Sequence, residues 1–191
     1  MKAMGKVIGI SGSPNRNGSN ERAIKYALRV IKEKGFDTEK IFLSGLDIRP
    51  CVACKRCKKA KKCIIDDDFN QIIPLLTSAD GIIISSPVYM GSISGQLKCL
   101  LDRTIFLRRK GFMLKNKIGG AIAIGGSRNG GQEFTIQNIH TWMHIHGIIV
   151  VGDDNHFGGI VMAPFEKDEI GIKTVEATAE KLCQVIALMK G

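Results

Sequence analysis

The sequence Lys6-Val-Ile-Gly-Ile-Ser11 is followed directly by Gly12-Ser-Pro-Asn-Arg-Asn-Gly-Ser-Asn20, and this junction decides the fold. The first segment is a short β-branched run typical of a buried strand, and the second is a polar loop that contains glycine. Apolar residues then recur at helical spacing, at Ala23, Ile24, Ala27, Leu28 and Ile31. A strand, a polar loop and an amphipathic helix in this order predict the start of an α/β domain.

The same alternation continues along the rest of the chain. Further apolar runs predict four more strands, at 40–43, 81–85, 118–124 and 148–151. Glycines in the run at 118–124 indicate a close approach by a neighbouring element, and 152–170 is interpreted as a looser segment. Five strands alternating with five helices predict a doubly wound parallel sheet. No linker or repeat interrupts the alternation, so residues 1–191 are interpreted as a single domain.

The loop after the first strand is rich in small polar side chains. They belong to Ser11, Ser13, Asn15, Asn17, Ser19 and Asn20, and the loop opens directly onto a helix. Such side chains, with free backbone N–H groups at a helix N-terminus, make a phosphate cradle. The loop has neither a Walker A lysine nor Gly-x-Gly-x-x-Gly, so a terminal monophosphate fits it better than a nucleoside triphosphate. The alternative interpretation is a helix cap in a glycine-rich turn.

Two more loops leave the same edge of the predicted sheet, where ligands of doubly wound sheets bind. The loop after the third strand offers backbone donors, an aromatic ring and a thioether, from Pro87, Val88, Tyr89, Met90 and Gly91. The glycine-rich loop after the fourth strand contains Gly126, Ser127, Arg128 and Asn129. These two loops could hold a planar ring with imide edges while the first loop holds its phosphate. Flavin mononucleotide (FMN) has that shape.

Four of the six cysteines fall within thirteen residues, at Cys51, Cys54, Cys57 and Cys63. Three thiols spaced Cys-x2-Cys-x2-Cys on one short loop can converge on a single inorganic centre, as in bacterial iron–sulfur sites. Zinc also takes four thiolates, but structural zinc sites usually combine two separated ligand pairs. A redox disulfide between Cys54 and Cys57 would leave the other two cysteines unexplained. Iron–sulfur ligation is therefore favoured over both alternatives.

Other candidate groups are interpreted as structural. Two cysteines on apolar helix faces are predicted core residues, Cys99 and Cys183. The histidines lack the glutamate of a zinc-binding helix, so packing or surface positions are expected for His140, His144, His146 and His156.

Three charged groups receive no functional role. A helix start with capping is predicted for Asp66, Asp67 and Asp68. Local pairing within one helix is predicted for Asp102 and Arg103. A helix end, where positive charge is favourable, is predicted for Arg108, Arg109 and Lys110.

Charge and composition narrow the class of protein. The formal net charge is +10, but the basic residues are spread thinly apart from the cysteine loop, and aromatic residues make up only 6% of the chain. Nucleic acid is therefore a disfavoured partner, and an acidic protein or anionic substrate is favoured. No signal peptide and no apolar run of about 18 residues is recognised, so no membrane partner and a cytoplasmic location are expected.

These motifs together carry a family resemblance. The three loops resemble the flavin loops of the NAD(P)H-dependent FMN reductase superfamily, and the match extends from Lys6 to the last helix. With Cys51, Cys54, Cys57 and Cys63 added, the chain is similar to the iron–sulfur flavoproteins of anaerobic archaea and bacteria. One departure from ferredoxins is that Ile64, rather than proline, follows the fourth cysteine.

The resemblance implies a flavodoxin-like fold with sheet order 2-1-3-4-5 and a cluster-binding loop at 44–65, after the second strand. It implies one FMN and one 4Fe-4S cluster in each chain, the four cysteines being the cluster ligands. It assigns the phosphate to Ser11, Ser13, Asn15, Ser19 and Asn20, and the ring to residues 87–91 and 126–129. It also implies a homodimer or homotetramer that accepts electrons from ferredoxin.

The leading hypothesis is an electron-transfer oxidoreductase that passes electrons from a one-electron donor through the cluster to FMN and on to a small acceptor, such as an oxygen species or a quinone. No catalytic side chain is predicted, because the cofactors carry the chemistry. The first alternative is an NAD(P)H-dependent FMN or quinone reductase with a zinc-binding cysteine loop. The second is a regulatory module that binds flavin or nucleic acid without catalysis.

Overall fold

The computed structural model describes residues 3–191. Residues 1 and 2 lie outside this range. They belong to the predicted single domain and to the N-terminal segment in which no signal peptide is recognised. The strands are β1 Lys6–Ser11, β2 Asp37–Phe42, β3 Gly81–Pro87, β4 Ile118–Gly125, β5 Ile149–Val151 and β6 Gly159–Met162. The helices are α1 Ser19–Glu33, α2 Phe69–Ser78, α3 Gly95–Arg103, α4 Ile105–Arg109, α5 Gln132–Ile145 and α6 Glu169–Lys190.

The sheet is parallel, and its order is β2-β1-β3-β4-β5. The predicted doubly wound topology and strand order are therefore confirmed. Apolar residues alternate between its two faces: Ile82 and Ile84 face the layer that contains α2 and α5, whereas Ile83 faces α1 and α6. Fully burying a side chain of this size contributes about 1.5–3 kcal/mol, so both layers are held to the sheet by their apolar contacts.

The segment 152–170 contains a strand and a helical turn that its sequence did not predict. Strand β6 pairs with the second half of β4, beyond the point where β5 ends, from Ile122↔Gly159 to Gly125↔Met162. A 3₁₀ turn follows at Phe165–Lys167. The interpretation as a looser segment was wrong because a four-residue strand is too short to show a clear period.

The helix predicted after β3 is two helices, α3 and α4, separated at Thr104. The Thr104 side chain is fully buried, and its Oγ1 accepts a hydrogen bond from Trp142 Nε1 at 2.8 Å. Its Oγ1 also lies 2.9 Å from Nε2 of His146, at the end of α5. The Thr104 hydroxyl group therefore connects the junction of α3 and α4 to α5.

The glycines of β4 allow the close approach that they predict. A Cβ atom at Gly119 would lie 2.6 Å from Met143 Sδ on α5, and one at Gly120 would lie 3.1 Å from Thr178 Cγ2 on α6.

Cys183 on α6 is buried, as predicted, and burial raises the pKa of its thiol to about 11. Cys99 is only partly buried. None of the helices within residues 3–191 combines the length and hydropathy needed to cross a bilayer.

Candidate functional site

The structure brings the loops after β1, β3 and β4 together at the carboxyl edge of the sheet. Gly12 N donates to Ser85 O at 2.7 Å, which anchors the first loop to β3. Ser94, at the N-terminus of α3, donates through its hydroxyl to Gly12 O and accepts a hydrogen bond from Leu97 N. The first loop is therefore held against the segment that follows β3, where the sequence predicted a shared ligand site.

The second and third loops also touch each other. Val88 N donates to Ile124 O at 2.9 Å. Gly131 has a φ of +103°, and a Cβ atom there would lie 3.3 Å from Val88 Cγ1 and 3.4 Å from Gly91 Cα. Glycine is needed at 131 because both the backbone conformation and the neighbouring loop leave little room for a side chain.

Ser11 is the most informative residue of the first loop. Its side chain is fully buried, and its Oγ has no hydrogen-bond partner among the described residues. A buried hydroxyl without a partner costs about 1–3 kcal/mol, so native proteins usually satisfy it with a ligand, water or another residue. Ser11 Oγ is thus free to bind a group that enters the loop.

The N-terminus of α1 is also open to a ligand. Its N-cap is Gly18, which makes no side-chain cap, so the interpretation of the loop as a helix cap does not account for its polar residues. The first N–H groups of a helix have no partner within the helix, and the helix dipole favours an anion there. The arrangement fits the predicted phosphate position.

The remaining predicted phosphate residues make contacts that shape the loop. Ser13 Oγ accepts from Asn15 N at 3.1 Å, and Ser19 Oγ accepts from Phe165 N at 3.2 Å. Asn20 Oδ1 accepts from the buried Ser85 hydroxyl at 2.5 Å. These side chains are at the loop, but in this structure their oxygens are engaged by neighbouring residues.

Glu21, in the first turn of α1 beside the first loop, is a residue that the sequence did not single out. It is buried, its Oε2 accepts from Asn17 N at 2.9 Å, and its Oε1 accepts from Ser44 Oγ at 2.7 Å. The signal was its place in the first turn of α1, where a glutamate often reaches back to the preceding backbone. Glu21 joins the first loop to the segment after β2.

The second loop is a tight turn with exposed apolar side chains. Tyr89 and Ser92 exchange backbone hydrogen bonds of 2.9 and 3.1 Å. Met90, with a φ of 49°, is fully exposed, and Tyr89 is 43% exposed. The loop thus presents an aromatic ring and a thioether to the region in front of the sheet edge.

The third loop is exposed but held at its base. Gln132 is buried, its Nε2 donates to Ser127 O at 2.7 Å, and its Oε1 accepts from Gly130 N at 2.7 Å. Arg128 Nη2 donates to Asp168 Oδ1 at 2.7 Å. Burial alone would raise the pKa of Asp168, but the N–H group of Met162 and the Arg128 guanidinium together lower it. Arg128 is therefore paired with a carboxylate in this structure.

The cysteine loop lies between β2 and α2, as predicted. Its four cysteines line one cavity together with Arg103, Phe106 and Arg109. Cys51 and Cys54 are exposed, whereas Cys57 and Cys63 are partly buried. Asn70 holds Cys63 in place, because its Oδ1 accepts from Cys63 N at 3.0 Å and its Nδ2 donates to Cys63 O at 3.1 Å.

The role predicted for the three aspartates was incomplete. Asp68 is the N-cap of α2 without a side-chain cap, and its Oδ2 instead accepts from Asp47 N at 2.8 Å. Asp67 Oδ1 accepts from Phe69 N at 3.2 Å. The aspartates therefore connect both ends of the cysteine loop as well as starting a helix.

Asp67 also forms a buried ion pair with Arg103. Arg103 Nη1 and Nη2 donate to the two carboxylate oxygens at 2.7 and 3.0 Å, and both side chains are at most 1% exposed. The predicted local pairing is confirmed for Asp102, which accepts from Lys98 on the exposed face of α3, and was wrong for Arg103, whose partner Asp67 lies outside that helix. Burial alone would lower the pKa of Arg103, but the Asp67 carboxylate and the Cys63 thiol raise it.

Arg109 was assigned no site, and the structure places it at the cysteine cavity. Its Nη1 donates to Cys57 Sγ at 2.9 Å. The neighbouring Arg108 points elsewhere, with its guanidinium carbon 5.2 Å from the centre of the Phe112 ring. A sequence of consecutive cations does not show which of them faces the cavity, because the direction depends on the turn of α4.

The histidines take the packing and surface positions expected of them. His146 is buried, His140 is partly buried, and desolvation lowers the pKa of each imidazole to about 4. Within residues 3–191, no three His, Cys, Asp or Glu side chains come together in an arrangement suited to a single metal ion.

A cavity of about 610 Å³ lies apart from the predicted site residues, beside β5 and β6. An ion pair at its edge joins Lys181 Nζ to Asp154 Oδ1 at 2.6 Å. His156 also lines it, and its Nδ1 lies 2.9 Å from Oδ2 of the buried Asp153. The chemistry of the three loops and of the cysteines is located elsewhere.

Comparison with known proteins gives consistent matches. A family model described as NADPH-dependent FMN reductase matches residues 5–159. The chain is 54% identical to an iron–sulfur flavoprotein of Methanosarcina thermophila, over 97% of each chain. It is 47% identical to an iron–sulfur flavoprotein of Methanocaldococcus jannaschii, over 97% of this chain and 99% of that one.

Solved structures match in fold. An NADH:FMN oxidoreductase in its apo form has a TM-score of 0.72 at 20% identity, covering 95% of this chain and 89% of that chain. A WrbA-like flavodoxin from Agrobacterium tumefaciens has a TM-score of 0.72 at 16% identity, covering 98% and 99%. These similarities establish the flavodoxin-like fold.

Proposed function

The chain belongs to the NADPH-dependent FMN reductase family, among the iron–sulfur flavoproteins, and from this premise we propose that it is an oxidoreductase that uses FMN and an iron–sulfur cluster. The observation that carries the proposal is the cavity lined by Cys51, Cys54, Cys57 and Cys63, in a chain that also joins three loops at the carboxyl edge of its sheet. Thiolate ligands suit an iron–sulfur cluster, and three adjoining loops suit a flavin nucleotide.

The first loop fits the FMN phosphate. Ser11 supplies a buried hydroxyl that has no partner within residues 3–191, and the N-terminus of α1, which has no side-chain cap there, supplies backbone N–H groups. Ser13, Asn15, Ser19 and Asn20 would form the rest of the phosphate site. The flavin ring would lie against residues 87–91 and 126–129, where the second and third loops touch.

The side-chain chemistry of the cysteine cavity suits a 4Fe-4S cluster. Its donor set is four thiols, and two arginines on its wall would offset the negative charge of thiolates and sulfides. When bound, the cluster would carry single electrons and FMN one or two. The chain's own residues would hold each cofactor and keep solvent from its buried side, with no side chain acting as an acid or nucleophile.

The surface around the cysteine loop supports an acidic protein, such as ferredoxin, as the electron donor. Nine cations lie on this loop and at the end of α4: Lys55, Arg56, Lys58, Lys59, Lys61, Lys62, Arg108, Arg109 and Lys110. Within residues 3–191, none of these nine forms a salt bridge with a carboxylate. Unpaired charge of one sign steers the approach of an oppositely charged partner.

The electron acceptor would be a small molecule, such as an oxygen species or a quinone, that reaches the flavin in front of the second loop. The exposed Met90 and Tyr89 on that loop, with Phe134 at the start of α5, support assembly into a homodimer or homotetramer. We place the protein in the cytoplasm, because its cysteines must stay reduced to hold a cluster.

Anaerobic purification tests the cofactors. We expect a visible spectrum with flavin and iron–sulfur absorption, and iron and acid-labile sulfide in about 4:4 ratio to the chain, as a 4Fe-4S cluster requires. Cys51→Ala should lose most of the iron and keep its flavin, because the two sites use different loops. Cys99→Ala, which changes a partly buried cysteine outside the cavity, is the matched control and should keep both.

Flavin without iron or sulfide in the wild-type protein would contradict the cluster. Stoichiometric zinc, together with direct flavin reduction by NADPH that Cys51→Ala leaves unchanged, would favour the reductase with a zinc loop. The match of residues 5–159 to a family model of NADPH-dependent FMN reductases supports that second function.

A further inference from the structure

Arg109 makes a contact with a cysteine that the family assignment does not explain. It is the last residue of α4, and its Nη1 lies 2.9 Å from Cys57 Sγ. Arg108, the residue before it, carries the same charge but stacks on Phe112. One of two adjacent arginines is therefore directed at a predicted cluster ligand.

Arg103 approaches the same cavity from the protein interior. Asp67 binds two of its nitrogens, and Arg49 O accepts from Nη1 at 2.7 Å. Its Nε is buried and has no partner within the described residues. The guanidinium thus has a fixed position on the cavity wall, and the N–H group of its Nε is not used by these contacts.

A buried ion pair is weak evidence for stability, because desolvation of both groups offsets much of their attraction. Stability therefore does not explain why Arg103 lies beside Cys63 rather than elsewhere in the core. A cluster held by four thiolates is anionic, and N–H donors directed at its sulfur atoms stabilise the more negative, reduced form.

We propose that Arg109 and Arg103 set the reduction potential of the cluster by donating hydrogen bonds to its sulfur atoms, Arg109 to Cys57 and Arg103 through its free Nε. The inference rests on the proposed function, since it requires a cluster in this cavity. A cluster held here would gain one negative charge on taking one electron from a one-electron donor, and no bond would form or break. The two guanidinium groups favour that state, so they make the potential more positive.

The test compares Arg109→Gln with Arg108→Gln in the reconstituted holoprotein. Both variants lose one positive charge at adjacent positions, but only Arg109→Gln loses the contact with Cys57. The midpoint potential of the cluster is measured by a redox titration monitored by electron paramagnetic resonance. We expect Arg109→Gln to shift it negative by about 59 mV, which is a tenfold change in the one-electron equilibrium constant. Arg108→Gln should shift it much less.

The flavin midpoint potential and the iron content are read from the same samples. Arg109→Lys keeps the positive charge, so its cluster potential should fall between those of wild type and Arg109→Gln. This variant also gives a measurement if Arg109→Gln binds too little iron for its potential to be read. An unchanged cluster potential in Arg109→Gln, or an equal shift in Arg108→Gln, would overturn the role of Arg109.

Arg103→Lys tests the second donor, because it keeps a partner for Asp67 and removes the free Nε. A negative shift of the cluster potential is expected, and an unchanged potential would overturn the role of Arg103. Wild-type protein that binds no iron would instead defeat the proposed function itself, so the two failures are distinguishable.

Discussion

Ser11 shows how much of the proposed phosphate site depends on a single side chain. Its sequence position, at the end of a β-branched run, identified it as a candidate, and the structure adds that its Oγ is buried and has no partner among the residues that the structure describes. Ser13, Ser19 and Asn20 already have partners, so a phosphate would have to replace or share those contacts. A substitution at Ser11 therefore separates the effect on FMN binding from the effect on the stability of the apoprotein.

Ser11→Ala should weaken FMN binding without weakening the apoprotein. A hydrogen bond to a charged phosphate contributes about 1.5–3 kcal/mol, so Kd should rise roughly 10- to 100-fold. The free energy of unfolding without FMN should stay the same or rise slightly, because a buried hydroxyl without a partner is removed. Fluorescence titration with FMN and urea unfolding measure the two quantities.

Ser78→Ala is the matched control for this change. Ser78 ends α2 at the opposite end of the sheet, and its hydroxyl donates to Leu75 O. It should leave Kd unchanged. A Kd for Ser11→Ala equal to that of wild type would remove Ser11 from the phosphate site.

Among the elements, the segment from the cysteine loop into α2 is joined to α3 by the ion pair between Asp67 and Arg103. The pair joins the start of α2 to the end of α3, and Arg103 also binds the backbone of Arg49 before the first cysteine. Arg49 and Asp67 flank the four cysteines in sequence, so Arg103 holds both ends of the loop that carries them. The loop's shape therefore depends on α3 as much as on its own residues.

Asp67→Asn should destabilise the apoprotein by about 3–5 kcal/mol at pH 7, because it leaves Arg103 buried without a counter-charge. Burial raises the pKa of Asp67, but Arg103 and two backbone N–H groups lower it below its usual range. A lowered folded pKa gives stability that is present above the unfolded pKa of about 3.9 and lost as pH falls toward the folded value. The difference between wild type and variant should thus narrow below about pH 4.

Urea unfolding at several pH values measures this difference. Asp102→Asn, which changes an exposed carboxylate paired with Lys98, should cost no more than about 1 kcal/mol. A gap between wild type and Asp67→Asn that stays constant down to pH 3 would show that the charge of Asp67 is not what stabilises the loop.

At the scale of the whole molecule, the distribution of charge matters more than the net charge of +10. Many cations elsewhere are paired, such as Lys34 with Glu180 and Arg22 with Glu166. Within residues 3–191, the nine cations around the cysteine loop form no salt bridge, so they produce a positive field at the proposed point of electron entry.

Reduction by an acidic ferredoxin should therefore depend strongly on ionic strength. The Debye length falls from about 10 Å at 0.1 M to about 3 Å at 1 M, so the second-order rate constant should fall at least about tenfold over this range. Stopped-flow mixing measures the rate. The double variant Lys58→Glu with Lys59→Glu should be slower at low salt and less sensitive to added salt.

Lys25→Glu with Lys40→Glu is the control for total charge. These two lysines lie near Phe42, on α1 and β2, away from the cysteine loop. If both double variants slow the reaction equally, only the net charge matters, and the proposed docking surface is wrong. The single-domain organisation and the oligomeric state stay predictions.

Much of this molecule could be predicted from short stretches. The buried runs in β1, β3 and β4 are apolar on both faces, as strands covered by helices must be, and the cysteines lie within one short loop. β6 was missed because four residues carry too little periodicity. The division of α3 from α4 was missed because Thr104 is bonded to residues of α5, which its own sequence neighbourhood does not reveal.

The sequence by itself determined the parallel sheet, the order of its loops and the clustering of the four cysteines, because periodicity and spacing act over a few residues. Only the tertiary structure decided which charges meet. Arg109 reaches Cys57 across 52 residues and Arg103 reaches Asp67 across 36, whereas Arg108 turns to Phe112. The physical reason is that a side chain's direction follows from the turn of its helix and the packing of that helix, which neighbouring residues in the sequence do not specify.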